Sequence, residues 1–410
     1  MIRAITLGVP SNNASAIDIG SVLQTFQTGV QALLLERNWP LRTTRMSLQT
    51  LREAQENDIF ALPAKLASIS RMAEQQGIRW FCLPIDMVGS PHFSQRLDLA
   101  FAALFSHSKM FVNLMVADET QISLQAGRHA ARFIQNVSRK SNNGFDNFRV
   151  GASCACPPNA PFFPFSRHEG ETFKFSLALE TTDLALKLSK DVLKKKISLE
   201  IFAERFIDDL QARLEAINVF ARELATKTGV EYAGLDASLA PFPDGDISIG
   251  KLLSNLGARP SGSQGTLFLT SILTNCIKTA VKRSNALATG FNGVMFSVLE
   301  DDELASANNR RRLSIDTLNA WSTVCGCGLD MIPIPGSTLV EDISAIILDT
   351  SALAVRLKKP LGVRLLPIPG KEVNEFTQFN FDFLCNSRVI NIDKTDVHFC
   401  EHAANWKYKN

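Results

Sequence analysis

Short apolar or β-branched runs alternate with longer stretches of helical period along most of the chain. IRAITLG (2–8), LRTTRMSL (41–48), IRWFCLPIDMV (78–88), KMFVNLMVAD (109–118), FRVGASC (148–154), FKFSLALE (173–180), VEYAGLDASLA (230–240), GVMFSVL (293–299), LDMIPIP (329–335) and GVRLLPI (362–368) read as strands, ten in all. Between them, SVLQTFQTGVQALLLERN (21–38) and AERFIDDLQARLEAINVFARELATKTG (203–229) repeat apolar residues at helical spacing. The second ends on a glycine suited to a C-terminal cap. Such alternation predicts an α/β chain, with a mainly parallel sheet and helices packed outside it. Several strands are apolar on both faces, which fits central burial.

Two segments break the alternation. CPPNAPFFPFSRHEGE (156–171) is too rich in proline for a helix or a central strand and predicts a long ordered loop, the kind that often carries function. In 240–270, glycines and prolines flank one short helix, and SGSQGT opens another. The charge runs KKK (194–196) and RRR (310–312) read as solvated charge beside helix starts. There is neither an internal repeat nor a low-complexity linker. Residues 1–395 are therefore expected to form one domain, with a C-terminal tail over 396–410.

Composition narrows the function classes. With 45% hydrophobic and 20% charged residues, the chain can bury a large core, and a formal charge of +2 leaves no broad basic field for nucleic acid. No stretch of about 18 uncharged apolar residues occurs and the opening MIRAITLGVPSNN lacks a signal-peptide pattern, so a cytoplasmic protein with no membrane partner is expected. In that compartment the eight cysteines are expected to stay reduced. A small-molecule ligand and further copies of the chain are the compatible partners; the residues name no cofactor.

TVCGCGLDMIPIPG (323–336) concentrates the most reactive side chains. Zinc sites of four thiolates draw on C-x2-C pairs; Cys325 and Cys327 form the tighter C-x-C, and so do Cys154 and Cys156, so a four-thiolate site requires both pairs to converge. A thioredoxin-like redox role meets the same objection of spacing. A helical stretch, IDTLNAWSTV (315–324), precedes the thiols and a buried strand follows, so they are expected in a turn at one end of the sheet, where ligands of α/β proteins gather. Cys325 is then either a nucleophile, if its neighbours lower its pKa from about 8.5, or a small buried hydrophobe.

His168 is bracketed by Glu169 and Glu171, either of which would raise its pKa toward acid–base use; the competing reading is a structural loop histidine. Asp236 and Asp330 lie inside apolar strands, where a carboxylate is costly unless paired or near a mouth. Asp244 and Asp246 complete the carboxylate candidates. Ser263, Gln264, Gly265 and Thr266 open a helix, so their backbone N–H groups offer an anion pocket, although ordinary capping explains the turn as well.

IRAITLG, YAGLDASLAPFPDGD, GARPSGSQGT, GFNGVMFSVLEDD, CGCGLDMIPIPGST with EDISAIILD, and RLLPIPGKEV together resemble, in this order, uncharacterised protein family 0210, also called domain of unknown function 711. The resemblance implies a single large ten-stranded α/β barrel similar to the glycyl radical enzymes of the pyruvate formate-lyase type, with finger loops entering from its ends. It also implies that Cys325, which matches the family's cysteine in CSVGLDM, is the fingertip thiol. The chain departs from the family at Gln264, where members tend to have histidine, at Ser337, where they have aspartate, and in FNFDFLCNS (379–387), which replaces a glycine-rich block. The nearest lookalike of a radical site, RVINI (388–392), carries Asn391 at the glycine position, so no glycyl radical is expected. The expected function is that of a cytoplasmic, non-radical enzyme binding a small polar or anionic metabolite in the barrel interior. The alternative is a non-catalytic metabolite-binding or regulatory protein acting through a partner.

Overall fold

Nine of the ten apolar runs are strands in the computed structural model, which describes residues 2–12, 15–52, 61–89, 93–243, 247–394, 396 and 405–408. In chain order the first half comprises β1 (Ile2–Val9), α1 (Ala16–Arg37), β2 (Leu41–Leu48), α2 (Leu62–Gln75), β3 (Trp80–Asp86), α3 (Ser94–Ser106), β4 (Met110–Ala117), β5 (Gln121–Ser123), α4 (Leu124–Lys140) and β6 (Val150–Cys154). The second half adds β7 (Lys174–Leu179), α5 (Thr182–Leu193), α6 (Leu199–Thr228), β8 (Glu231–Asp236), α7 (Ile249–Leu256), α8 (Thr266–Arg283), α9 (Asp302–Asn309), α10 (Ile315–Ser322), β9 (Gly328–Pro335), α11 (Val340–Leu357), β10 (Leu361–Ile368) and β11 (Asn405–Lys407).

The main sheet runs β8-β7-β1-β2-β3-β4-β6-β10-β9, with β5 paired to β4 and to β11 off this path. Pairing is parallel throughout β1-β2-β3-β4-β6, in β7-β8 and in β9-β10. It is antiparallel at β1-β7 and β6-β10. The expected mainly parallel sheet thus consists of parallel sets meeting at two antiparallel seams. The cause lies in the connections: helices return the chain within each set, whereas the proline-rich loop joins β6 to β7 with no helix to reverse it.

Among the described residues the ladder of strands does not close on itself. Between its two ends, β8 and β9, lies the tenth run, which makes isolated bridges instead of a strand: Leu239 with Val294 on one side, Ser297 with Asp330 on the other. Gly290 and Asn292, just before that run, both take positive φ, which breaks the extended conformation a ladder needs on the way into it.

Helices cover one face of the sheet, and the 156–171 loop lies across the other. Asn113 and Cys82 both donate to the Ser166 carbonyl, and Thr6 donates to that of Pro161. Phe165 packs against Gly151 and Gly362, positions where any side chain would overlap its ring. Alternation sorts the strands accordingly: Leu361, Val363 and Leu365 of β10 join the core beneath the helices, while Leu366 and Ile368 join an inner cluster with Phe111, Phe148 and Phe163.

Candidate functional site

The turn between α10 and β9 carries the two thiols. Cys325 N–H closes the end of α10 on the Trp321 carbonyl at 2.8 Å, and Gly326 N–H donates to Val294 at 2.6 Å. Gly326 and Gly293 approach so closely that a Cβ on either would sit 2.8–2.9 Å from the other's backbone. The glycine between the cysteines is thus what lets the turn lie against the irregular tenth segment.

Cys325 and Cys327 are both buried, yet they face different spaces. Cys325 lines an open pocket of about 660 Å³ together with Lys278, Lys282, Lys358 and Lys359, and among the described residues no carboxylate lines it. Lys359 Nζ, half-buried, donates to the carbonyls of Ser322 (2.8 Å) and Cys325 (2.5 Å), capping the C-terminal end of α10 with a cation. A hydrogen bond from Cys327, followed by the nearby Lys359 charge, outweighs burial and brings the Cys325 thiol down to about 6. The Cys327 thiol is pushed up by the same hydrogen bond, by burial and by the negative charges of Cys325 and Asp330. The two shifts run in opposite directions and favour the thiolate at Cys325 and the thiol at Cys327.

Cys327 faces an interior cavity of about 40 Å³, walled by aromatic rings from the proline-rich loop and lined by Arg3, Arg45, Arg364, Glu300 and Asp330. Asp330 reaches it through a β-bulge. Asp330 and Met331, the latter at φ 53°, together oppose Arg364 between the Leu329–Val363 and Ile332–Leu365 pairs. The carboxylate thereby meets Arg364 in a bidentate pair at 2.7 and 3.0 Å, with Glu300 3.2 Å from the same guanidinium. Phe291 lines both spaces and forms the wall between them.

The family model described as Uncharacterised ACR (DUF711) matches residues 1–383. The chain belongs to this family. Relatives include UPF0210 proteins of Methanococcus aeolicus, 37% identical over 161 residues (39% of this chain, 35% of the relative), and of Pyrobaculum arsenaticum, 36% identical over 270 residues (63% and 56%). The chain thus spans from about a third to just over half of the length of these curated relatives, whose names give no activity.

The other candidate residues of this DUF711 chain are spread around the molecule. His168 lies beside β2, its N–H on the Leu48 carbonyl and its Nδ1 3.1 Å from Asn159 Oδ1, and it lines neither space. Among the described residues no carboxylate hydrogen-bonds the imidazole: Glu169 is held by Arg52, Arg167 and Thr50. Burial and then the Lys174 charge lower the imidazole to about 4 against a weaker upward pull from Glu169, opposite to the expected direction. Asp236 is fully engaged as a structural staple, accepting from Ser238 N and Oγ, Phe291 N and Asn292 N; burial raises its pKa.

The Ser263–Thr266 turn begins α8, whose far end supplies Lys278 and Lys282, so about 18 Å of helix separates it from the pocket. Gly265 at φ 93° is the N-cap, Gln264 is exposed, and Thr266 Oγ1 turns back onto the Ser263 carbonyl at 2.7 Å. Cys154 shares a hydrogen bond with Ser351 and Cys156 donates to the Leu361 carbonyl. Among the described residues no three of His, Cys, Asp and Glu come together as a metal site. Asp244, Asp246 and most of the tail lie outside the described residues. Among the described residues no helix is long and apolar enough to cross a membrane.

Lys278, Lys282, Lys358, Lys359, Arg45 and Arg364 were not singled out from the sequence. The lysines come from the end of one helix and the loop after another, and each reads locally as solvated charge. Only the Cys-Gly-Cys turn marks where they converge.

Proposed function

We propose that this protein is a non-radical, thiol-dependent enzyme acting on a small anionic metabolite, with Cys325 as the nucleophile. The observation that carries this reading is the placement of Cys325 at a pocket rimmed by four lysines and, among the described residues, by no carboxylate; the downward direction of its thiol pKa agrees with it. Lys278, Lys282 and Lys358 would attract the substrate's negative charge, while Lys359 and the Cys327 proton hold the nucleophile as thiolate. The pocket of about 660 Å³ has metabolite dimensions, whereas the interior cavity of about 40 Å³ does not. Binding is therefore assigned to the pocket rather than to the barrel interior.

The same reading takes the sheet as the ten-stranded barrel of the glycyl radical enzymes, with 287–297 counted as the strand between β8 and β9. Hydrogen bonds from Leu239 to Gly293 and from Gly326 to Val294, one on each side of that segment, support it. Asn391, exposed and bonded to Asp393, supports the absence of radical chemistry.

A thermal-shift screen of small anionic metabolites against the wild type and Lys278→Ala/Lys282→Ala tests the reading. A compound that stabilises the wild type and loses its effect in the lysine variant is the expected result. Stabilisation indifferent to the lysines overturns the assignment. Cys325 is only 2% exposed, which favours the second reading, a non-catalytic metabolite-binding protein acting through a partner. Its signature is lysine-dependent binding that Cys325→Ser leaves unchanged and that produces no turnover.

A further inference from the structure

The interior cavity has a charge arrangement that the thiol pocket does not use. Three buried arginines line it. Arg364 is paired with Asp330 and Glu300, and Arg3 lies within 3.7 Å of Glu180 and 3.6 Å of Glu300. Arg45 differs. Its Nε donates to Thr43 Oγ1 at 3.0 Å, its guanidinium lies 5.0 and 5.2 Å from the ring centres of Trp80 and Phe163, and among the described residues it pairs with no carboxylate.

A buried guanidinium left with only ring faces and one hydroxyl is costly, and a counter-ion in the space before it removes that cost. The two terminal nitrogens of a guanidinium match the spacing of a planar oxyanion's oxygens. A space of about 40 Å³ suits a compact anion of a few heavy atoms far better than a bulky metabolite. Half-buried Trp80 and Phe383 stack edge to face among the lining residues, and Phe242 stacks on Phe383 in turn, so aromatic rings rim the cavity where a tail would have to pass.

We propose that this cavity binds a compact monovalent oxyanion on the free side of the Arg45 guanidinium, as a site separate from the thiol pocket.

The test follows thermal unfolding of the full chain in nitrate, formate, hexanoate and gluconate at one ionic strength. Nitrate and formate are expected to raise the melting temperature saturably, hexanoate and gluconate are not, and Arg45→Met should abolish the difference. The response should persist in Lys278→Ala/Lys282→Ala, which separates this site from the pocket and lets either proposal fail alone. Should Arg45→Met not fold, line broadening of ¹³C-formate by the wild type, reversed by nitrate but not by gluconate, decides. Equal effects of all four salts, a response unchanged in Arg45→Met or lost in the lysine variant, hexanoate as effective as formate, or an unbroadened formate line would each overturn the proposal.

Discussion

A proton shared by two sulfurs falls to whichever sits nearer negative charge, and here Lys359 beside Cys325 and Asp330 beside Cys327 break the symmetry. The alkylation rate of Cys325 should therefore rise as pH climbs through about 6 and level off above it. Cys327→Ala removes the larger cause and Lys359→Met the smaller cation contribution, so both variants should move the midpoint upward, the first further. Unchanged midpoints would refute this division of charge between the sulfurs.

His168 titrates in the opposite sense to a catalytic base held by a carboxylate. Its folded pKa of about 4 lies below the ordinary 6.5, so the unfolded chain takes up the proton first as pH falls. Its contribution to stability is complete above 6.5 and is lost on acidification toward 4, with a slope of at most about 1.4 kcal/mol per pH unit. Denaturant unfolding of His168→Gln across that window should show a flatter acid limb than the wild type. An unaltered limb would mean that the histidine is not held neutral.

At the scale of elements, close backbone approach and shared caps do what no local pattern announces. The strand runs were legible because apolar alternation is local, and nine of them fold as read. The tenth failed because Gly290 and Asn292 just ahead of it take positive φ and its last residues turn into a 3-10 helix at Val298–Glu300, which local apolar content does not announce. The antiparallel seams were not legible, because strand direction at a seam depends on a partner far away in the chain. Gly326→Ala forces a methyl onto the Gly293 backbone and should cost about 1–3 kcal/mol by denaturant titration, together with a change in Cys325 reactivity. Asp301 went unremarked in the sequence, yet its buried carboxylate accepts from Ser248 Oγ, the N–H groups of Ile249 and Gly250 opening α7, and those of Glu303 and Leu304 opening α9. Asp301→Ala should cost about 1–2 kcal/mol for each helix it caps. A loss below the measurement error would show that the two helix starts stand without it.

Over the whole molecule, the inner face of the sheet explains a bias of composition: 27 Phe against 2 Tyr. Phe111, Phe148, Phe163 and Phe165 meet one another or carbon-lined walls there, where a phenol hydroxyl would need a partner. Phe379, Phe381 and Phe383 extend that lining in the segment 379–387, and Phe383 stacks on Trp80 at the interior cavity. This lining leaves the interior small and moves the larger space outward, to the lysine-rimmed side of the thiol turn. Of the candidate site, Cys325 was legible from its glycine-flanked spacing. The lysines were not, because each is ordinary surface charge until the fold gathers them.

The central claim is that Cys325 is a thiolate in a field that favours anions. The direct measurement is the rate of Cys325 modification by iodoacetate relative to iodoacetamide, mapped by peptide mass spectrometry and referred to a free thiol in the same buffer. A ratio above that of the free thiol, falling toward it in Lys278→Ala/Lys282→Ala and with added salt, is the expected result. A ratio at or below the free-thiol value, or no modification of Cys325 in the folded protein, would contradict the claim.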